Sequence, residues 1–334
     1  MSTIAQRLLN LYNNMVIANS VTNEFTQALP DCYDAVEEKG GTLPAQQTAA
    51  NLPAAISSIP AAVASDVVFV SGETPSNCFA VNNVKSVTSN ITTLAPCAFL
   101  GCTNLEYASF NNVTSIEYNS GTNYTAQNFY GCSNAEIHLE GLTRLVGYNT
   151  FYNCVADKIH LDSLTFAQGA GSTWANSPFR NVTGNTLNLP NLTQFNAYCM
   201  VGLHCKELLM PKLTTANQAT VFYDSATLER IHLGFCGAFG SSNTSFNVLV
   251  NLIDIEFASG MASDISLNYW NPTNVIADST KLATLNANIR DHIAAKVANG
   301  NNSLTFTVSS NLYNNLEQAT LDAFSAKGWA VAGA

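Results

Sequence analysis

The chain has 334 residues, of which 47% are hydrophobic and only 11% charged, with a net charge of −10. So acidic a chain, with no cluster of Lys or Arg, lacks the means to neutralise the phosphates of a nucleic-acid backbone. Nothing approaches 18 uninterrupted apolar residues, so no membrane-spanning helix is predicted, and no Gly-x-Gly-x-x-Gly, Walker, Gly-x-Ser-x-Gly or His-Glu-x-x-His signature marks a cofactor or catalytic centre.

Residues 2–18 and 21–39 have helical spacing, and Thr42-Leu43-Pro44 opens a third predicted helix that passes through Ala49, Leu52, Ala55 and Ile56 to Pro60. Asn10, Asn13 and Asn14 interrupt the apolar run of Leu8, Leu9 and Leu11, so residues 1–20 do not read as a signal peptide. The expectation is a chain made in a cytoplasm, with residues 1–62 as a helical arm for attachment and oligomerisation.

From residue 63 to residue 270 the chain repeats. Phe129-Tyr130-Gly131-Cys132 returns as Phe151-Tyr152-Asn153-Cys154, and each is followed by the same run, Ile137-His138-Leu139 and Ile159-His160-Leu161. Anchors at Phe99, Phe129, Phe151, Phe179, Met200, Phe222 and Phe246 keep the frame, roughly 20 to 30 residues apart, the length of a solenoid unit. Such a unit cannot bury its apolar face alone, so neighbours must stack into one core. The alternation at Ile137/Leu139, Ile159/Leu161, Leu187/Leu189 and Leu208/Met210 predicts a short strand with two side chains inward, and the next apolar residue closes the turn. Seven parallel strands in register predict one sheet on the order of 30 Å long. On its outer face, Glu136 should meet Lys158, and Arg230 should lie between Glu207 and Asp254.

The middle outward column reads Ser109, His138, His160, Asn188, Leu209, His232 and Glu256. Two histidines on adjacent rungs raise the question of a metal. A structural site takes three or four ligands, and Ser109 and Asn188 supply no strong one, so a solvated strand face is expected and no metal. Nine cysteines do not form a disulfide framework on this reading: Cys102, Cys132 and Cys154 share one repeat position, where a small buried thiol packs. Asn, Ser and Thr carry solubility in place of charge.

Two units are long, and the excess lies in the loops Tyr118–Gln127, with Tyr124, and Gln168–Pro178, with Trp174. Loops inserted in a repeat gather on one side, where binding resides. Tyr118, Tyr124 and Trp174, together with His138, His160 and His232, are the candidate ligand-binding residues, although aromatic rings in such loops also simply pack the loops themselves. Trp270-Asn271-Pro272 closes the array. Residues 271–334 then read as an α/β cap: a helix from Ser279 to Val297, a strand Leu304–Val308, a helix from Ser310 to Ala326 stopped by Gly328, and a final segment Gly328–Val331. Arg290, His292 and Lys296 on the first of these helices are expected to face solvent.

Phe99-Leu100-Gly101-Cys102-Thr103-Asn104-Leu105, Phe129 to Asn134, Phe151 to Cys154, and Pro190 and Pro211 directly after their strands resemble the BspA-like leucine-rich repeat. Val182, Leu203, Ser225 and Leu249 depart from it where Cys is usual. The resemblance implies an α/β leucine-rich-repeat solenoid of short parallel strands, with a helical amino-terminal arm and an α/β carboxy-terminal cap. Residues 41–56 resemble a segment near the starts of phage tail and other virion proteins. Together these imply a non-enzymatic bacteriophage virion protein without cofactors. Its arm would contact other virion proteins and itself, and its repeats a host surface protein or glycan. The other readings are a bacterial cell-surface adhesin and a purely structural decoration protein.

Overall fold

A computed structural model describes residues 29–30, 32–37, 42–48, 50–57, 66–69, 84–117, 127–170, 176–196, 198–216, 222–234, 244–258, 264–296 and 304–334. The architecture is α/β, dominated by short parallel strands. Six coils start at a buried anchor and turn through a residue of positive φ two positions later: Gly101 (74°), Gly131 (81°), Asn153 (59°), Asn181 (55°), Gly202 (68°) and Asp224 (58°). The left-handed region penalises most side chains and admits Gly, Asn and Asp most readily, so these six vary only among those three, whereas the last coil, with Val248 there, takes a 3₁₀ turn instead. The anchors then pile into a spine. Phe99, Phe129, Phe151 and Phe179 stack at centroid separations of 5.2, 5.8 and 5.6 Å. Farther along, Phe222 and Phe246 meet edge to face at 5.6 Å.

After the turn, each coil lays down the expected strand. Ile137 pairs with Ile159, and Leu187, Leu208, Ile231 and Ile255 pair in succession, all of them buried in one continuous core. The single seven-stranded sheet expected from the repeats is instead two ladders. One holds Asp66–Phe69, Ser86–Ser89, Tyr107–Ser109, Glu136–His138 and Ile159–His160, and the other Thr183–Asn188, His204–Met210, Arg230–Leu233 and Asp254–Phe257. The seam has a local cause: residues Ala156–Lys158 form a 3₁₀ turn where strand would begin. From that turn the Asp157 carboxylate accepts hydrogen bonds from the backbone N–H groups of Asn185 (2.6 Å) and Thr186 (2.9 Å). These are donors that a continuing ladder would have used.

Five coils also contain a second strand, where the sequence pattern suggested only a closing turn. Ser115–Ile116, Arg144–Gly147, Phe166–Gly169, Gln194–Phe195 and Thr215–Ala216 form a five-stranded parallel ladder of their own. At the entry to these strands a row of threonines stitches coil to coil. The hydroxyls of Thr143, Thr165, Thr193 and Thr214 each donate, at 3.0 Å, to the carbonyl of the corresponding threonine one coil earlier. Asparagines do similar work, as Asn134 donates to the Thr103 carbonyl (3.1 Å) and Asn251 to that of Ala226 (2.7 Å). The polar residues expected to serve solubility therefore also join neighbouring coils.

At the carboxy end, Ile265–Leu267, Leu304–Val308 and Trp329–Gly333 make a three-stranded parallel sheet. The helix that starts at Ser279 runs to Asn288 and continues as a π turn, Ile289–Ile293. The single helix expected from Ser310 to Ala326 is two, Ser310–Tyr313 and Gln318–Ala326. Asn286 pins the break, its side-chain oxygen accepting from the Glu317 N–H at 2.8 Å. Arg290 and His292 are engaged, contrary to expectation: Arg290 donates to Glu317 (2.8 Å), and His292 lies 3.5 Å from Asp254 on the last rung of the four-stranded ladder. At the other end, Tyr33, Val36, Leu52, Ala55 and Ile56 form a separate small core. Of the third predicted helix, the described residues are helical at Leu52–Ser57, and 42–48 are not. Proline lacks an N–H and is tolerated in the first turn of a helix, so Pro53 fits the start of this short helix but would break one begun at Thr42. The two earlier predicted helices lie largely outside the described residues, which show helix at residues 29–30 and 32–37.

Candidate functional site

Two outward surfaces concentrate chemistry. On the first ladder, alternation turns residues 136, 138 and 140 to the same side of the chain. The register then sets His138 beside His160, and their rings stack at 4.3 Å with planes 12° apart. Glu136 reaches across both: its Oε1 lies 3.4 Å from Nε2 of His138 and 3.2 Å from Nε2 of His160. Glu140 takes the other face of the first imidazole, with Oε1 2.5 Å from Nδ1 of His138. Tyr107, on the preceding rung, covers His138 at 5.1 Å. The expected pair of Glu136 with Lys158 does not form. The 3₁₀ turn carries Lys158 to the Asn134 carbonyl, to which its ammonium donates at 3.0 Å.

His232 belongs to the other ladder, where Nδ1 is 3.8 Å from Glu256. The structure thus brings His138 and His160 together and sets His232 apart. Around His232 the charges are balanced by Arg230, which spans Asp254 (3.4 Å) and Glu256 (2.8 Å). Glu207, expected to pair with Arg230, instead accepts from the Thr186 hydroxyl at 3.1 Å. Burial raises the Asp254 carboxyl above its ordinary value, and the neighbouring His292 and Arg230 only partly offset this. Tyr118, Tyr124 and Trp174 lie outside the described residues.

The second surface is the turn side, at the position directly after each anchor. Leu100, Tyr130, Tyr152, Arg180, Val201 and Tyr223 hold this position in successive coils, and all but the buried Val201 reach solvent. Matching backbone bonds hold the column, since Gly101, Gly131 and Gly202 donate to the carbonyls of Tyr130, Tyr152 and Tyr223, each at 2.7 Å. Tyr130 and Tyr152 stack at 4.4 Å with planes 5° apart, and the Arg180 guanidinium lies over the Tyr152 ring at 5.8 Å. The Tyr152 hydroxyl is fixed by Asn181, which donates to it at 2.9 Å. Burial, followed by Tyr152, pushes the Tyr130 phenol above its ordinary value. Both rings are half-buried, and Tyr223 is 46% exposed. Aromatic rings were expected in the long loops, whereas the column follows from a position directly after the anchor that the repeat itself shares.

Behind these surfaces the cysteines serve packing. Cys132 and Cys154 donate their thiols to the carbonyls of Phe99 and Phe129, each at 3.2 Å. Burial raises both thiols well above the ordinary range and pushes Cys205 up to about 12, which removes the reactive thiolate. No helix among the described residues is long and apolar enough to cross a membrane.

Compared with known families, residues 71–155 and 120–229 match the model described as a BspA type leucine rich repeat region, in 6 copies. No curated protein and no solved structure matches the chain.

Proposed function

Residues 71–229 are BspA-type leucine-rich repeats, and from that premise we propose that the chain is a surface-displayed, adhesin-like recognition protein that performs no catalysis. We assign it to a bacteriophage virion. There the amino-terminal segment docks on other virion proteins and on further copies of the chain, and the repeats engage a host surface glycan or protein. The observation that carries this reading is the Tyr130–Tyr152 stack, extended by Arg180. Flat rings with fixed hydroxyls, set among Asn and Gly, present apolar faces and polar edges at once, the combination that sugars and protein loops require. Supporting the virion assignment is the resemblance of residues 41–56 to virion proteins.

A glycan array and a host-cell binding assay, run on the purified chain, test the recognition. Tyr152→Ala should weaken binding by about tenfold or more, as loss of an aromatic hot spot does, while Tyr152→Phe retains it. Absence of any ligand, or equal binding by Tyr152→Ala, sinks the recognition reading and leaves a decorating role. Proteomics of purified particles tests the location, since detection on bacterial envelopes and not on particles favours a cell-surface adhesin.

A further inference from the structure

Among the described residues, no Lys or Arg pairs with the carboxylates around His138. A neutral imidazole has one N–H and one lone pair. With Glu140 accepting at Nδ1, the proton of His138 is held on that side. The Nε2 lone pair then faces Oε1 of Glu136, and Nε2 of His160 faces the same oxygen. Two nitrogen donors and a carboxylate converge on one point, with all three ligand atoms within 4.8 Å of one another. Among the described residues neither glutamate pairs with Lys or Arg, and Oε2 of Glu140 is buried with no hydrogen-bond partner. Something positive belongs at the junction.

We propose that Glu136, His138 and His160 form a binding site for a divalent transition-metal ion of the zinc class. Zinc bonds of about 2.0 to 2.2 Å at tetrahedral angles set ligand atoms roughly 3.3 Å apart. The separations of 3.4 and 3.2 Å from the Glu136 oxygen match that edge. Because the rings lie nearly parallel, binding requires them to turn about χ2 out of the stack until both lone pairs aim at one ion. Glu140 holds His138 in the tautomer that leaves Nε2 free, the carboxylate–histidine–metal arrangement that orients ligands and raises their basicity. Two imidazoles with one carboxylate suit zinc, nickel or copper rather than calcium or magnesium. Glu136 and His160 are partly exposed, with side-chain accessibilities of 50% and 34%, so coordination positions remain open to water or to an oxygen of a recognised ligand. The site is independent of the tyrosine column and stands or falls separately from the proposed recognition.

The rival is a proton at the same junction. Full-length protein, stripped with a chelator and exchanged into neutral buffer, is titrated with Zn2+ by calorimetry and with Co2+ by visible absorption. The site predicts one equivalent per chain, absorption bands of low-symmetry cobalt, and a rise in melting temperature on adding zinc. His138→Ala and His160→Ala should each abolish saturable binding, and Glu140→Gln should weaken it about tenfold. His204→Ala and His232→Ala should leave it unchanged. Circular dichroism of the metal-free variants verifies that these surface changes leave the fold intact. Failure of the wild-type chain to bind, or full binding by His160→Ala, overturns the site in favour of a protonated cluster.

Discussion

On the ladder that holds Glu136–His138, Glu136 and Glu140 face two imidazoles with no guanidinium or ammonium from the described residues between them. On the four-stranded ladder, Arg230 joins Asp254 to Glu256, and His292 arrives from the carboxy-terminal unit to meet Asp254 at 3.5 Å. The coil is the same in both regions, and so is the outward column. What differs is whether charge is settled within the ladder or left open to an outside ion. The anchors change one coil later: Phe179, whose coil opens the four-stranded ladder, still stacks on Phe151 across the seam, and Met200 and an edge-to-face pair follow it. One fold therefore supports an ion-paired network in one half and an accessible donor set in the other.

The contrast can be broken most forcefully at the spine. Phe129 stacks on both Phe99 and Phe151, so Phe129→Ala should destabilise the chain by about 3 to 5 kcal/mol in denaturant unfolding. At the seam, Asp157→Ala hands two exposed backbone donors over to water and should lose about 0.5 to 1.5 kcal/mol. Amide hydrogen exchange would then report faster exchange at Asn185 and Thr186 than at the ladder centres. If the seam were a mere irregularity, the exchange of those two amides would not change.

The smallest effect is a pH dependence in the second ladder. Burial raises Asp254 above its ordinary value of 3.8, so the folded chain holds that proton more tightly than the unfolded chain. The group's contribution to stability is therefore greatest below 3.8 and declines as pH rises through the folded value, after which it is constant. Asp254→Asn removes that decline. The stability of the variant relative to wild type should improve as pH rises through this window and then level off. A difference independent of pH would mean that Arg230 and His292 fully offset the burial.

Much of this was legible in the residues. The anchors, the first strands and their register follow from strict alternation at Ile137, Ile159, Leu187 and Leu208, because a slip of one residue would turn every inward side chain outward. The second strands escaped notice because pieces as short as Gln194–Phe195 are too brief to show a period. The seam depends on Asp157, whose role arises from hydrogen bonds to a segment 28 and 29 residues away. The acidic partner of the histidines was missed for a simpler reason. Ligands were sought along one column across rungs, at Ser109 and Asn188, while Glu136 sits on the same rung as His138, two residues earlier on the same face. The broken helix near Leu316 likewise depends on Asn286, a distant partner that local propensity does not reveal.

The threonine row has a consequence for how such a molecule can grow. Each threonine reaches back to the unit behind it and offers its own carbonyl to the unit ahead, as Thr165 does between Thr143 and Thr193. A duplicated segment therefore arrives with both halves of its fastening, like a link that carries its own hook and eye. Lengthening or shortening the array by whole units leaves every remaining junction intact, so the reach of the molecule can change by gene duplication while each joint stays as it was.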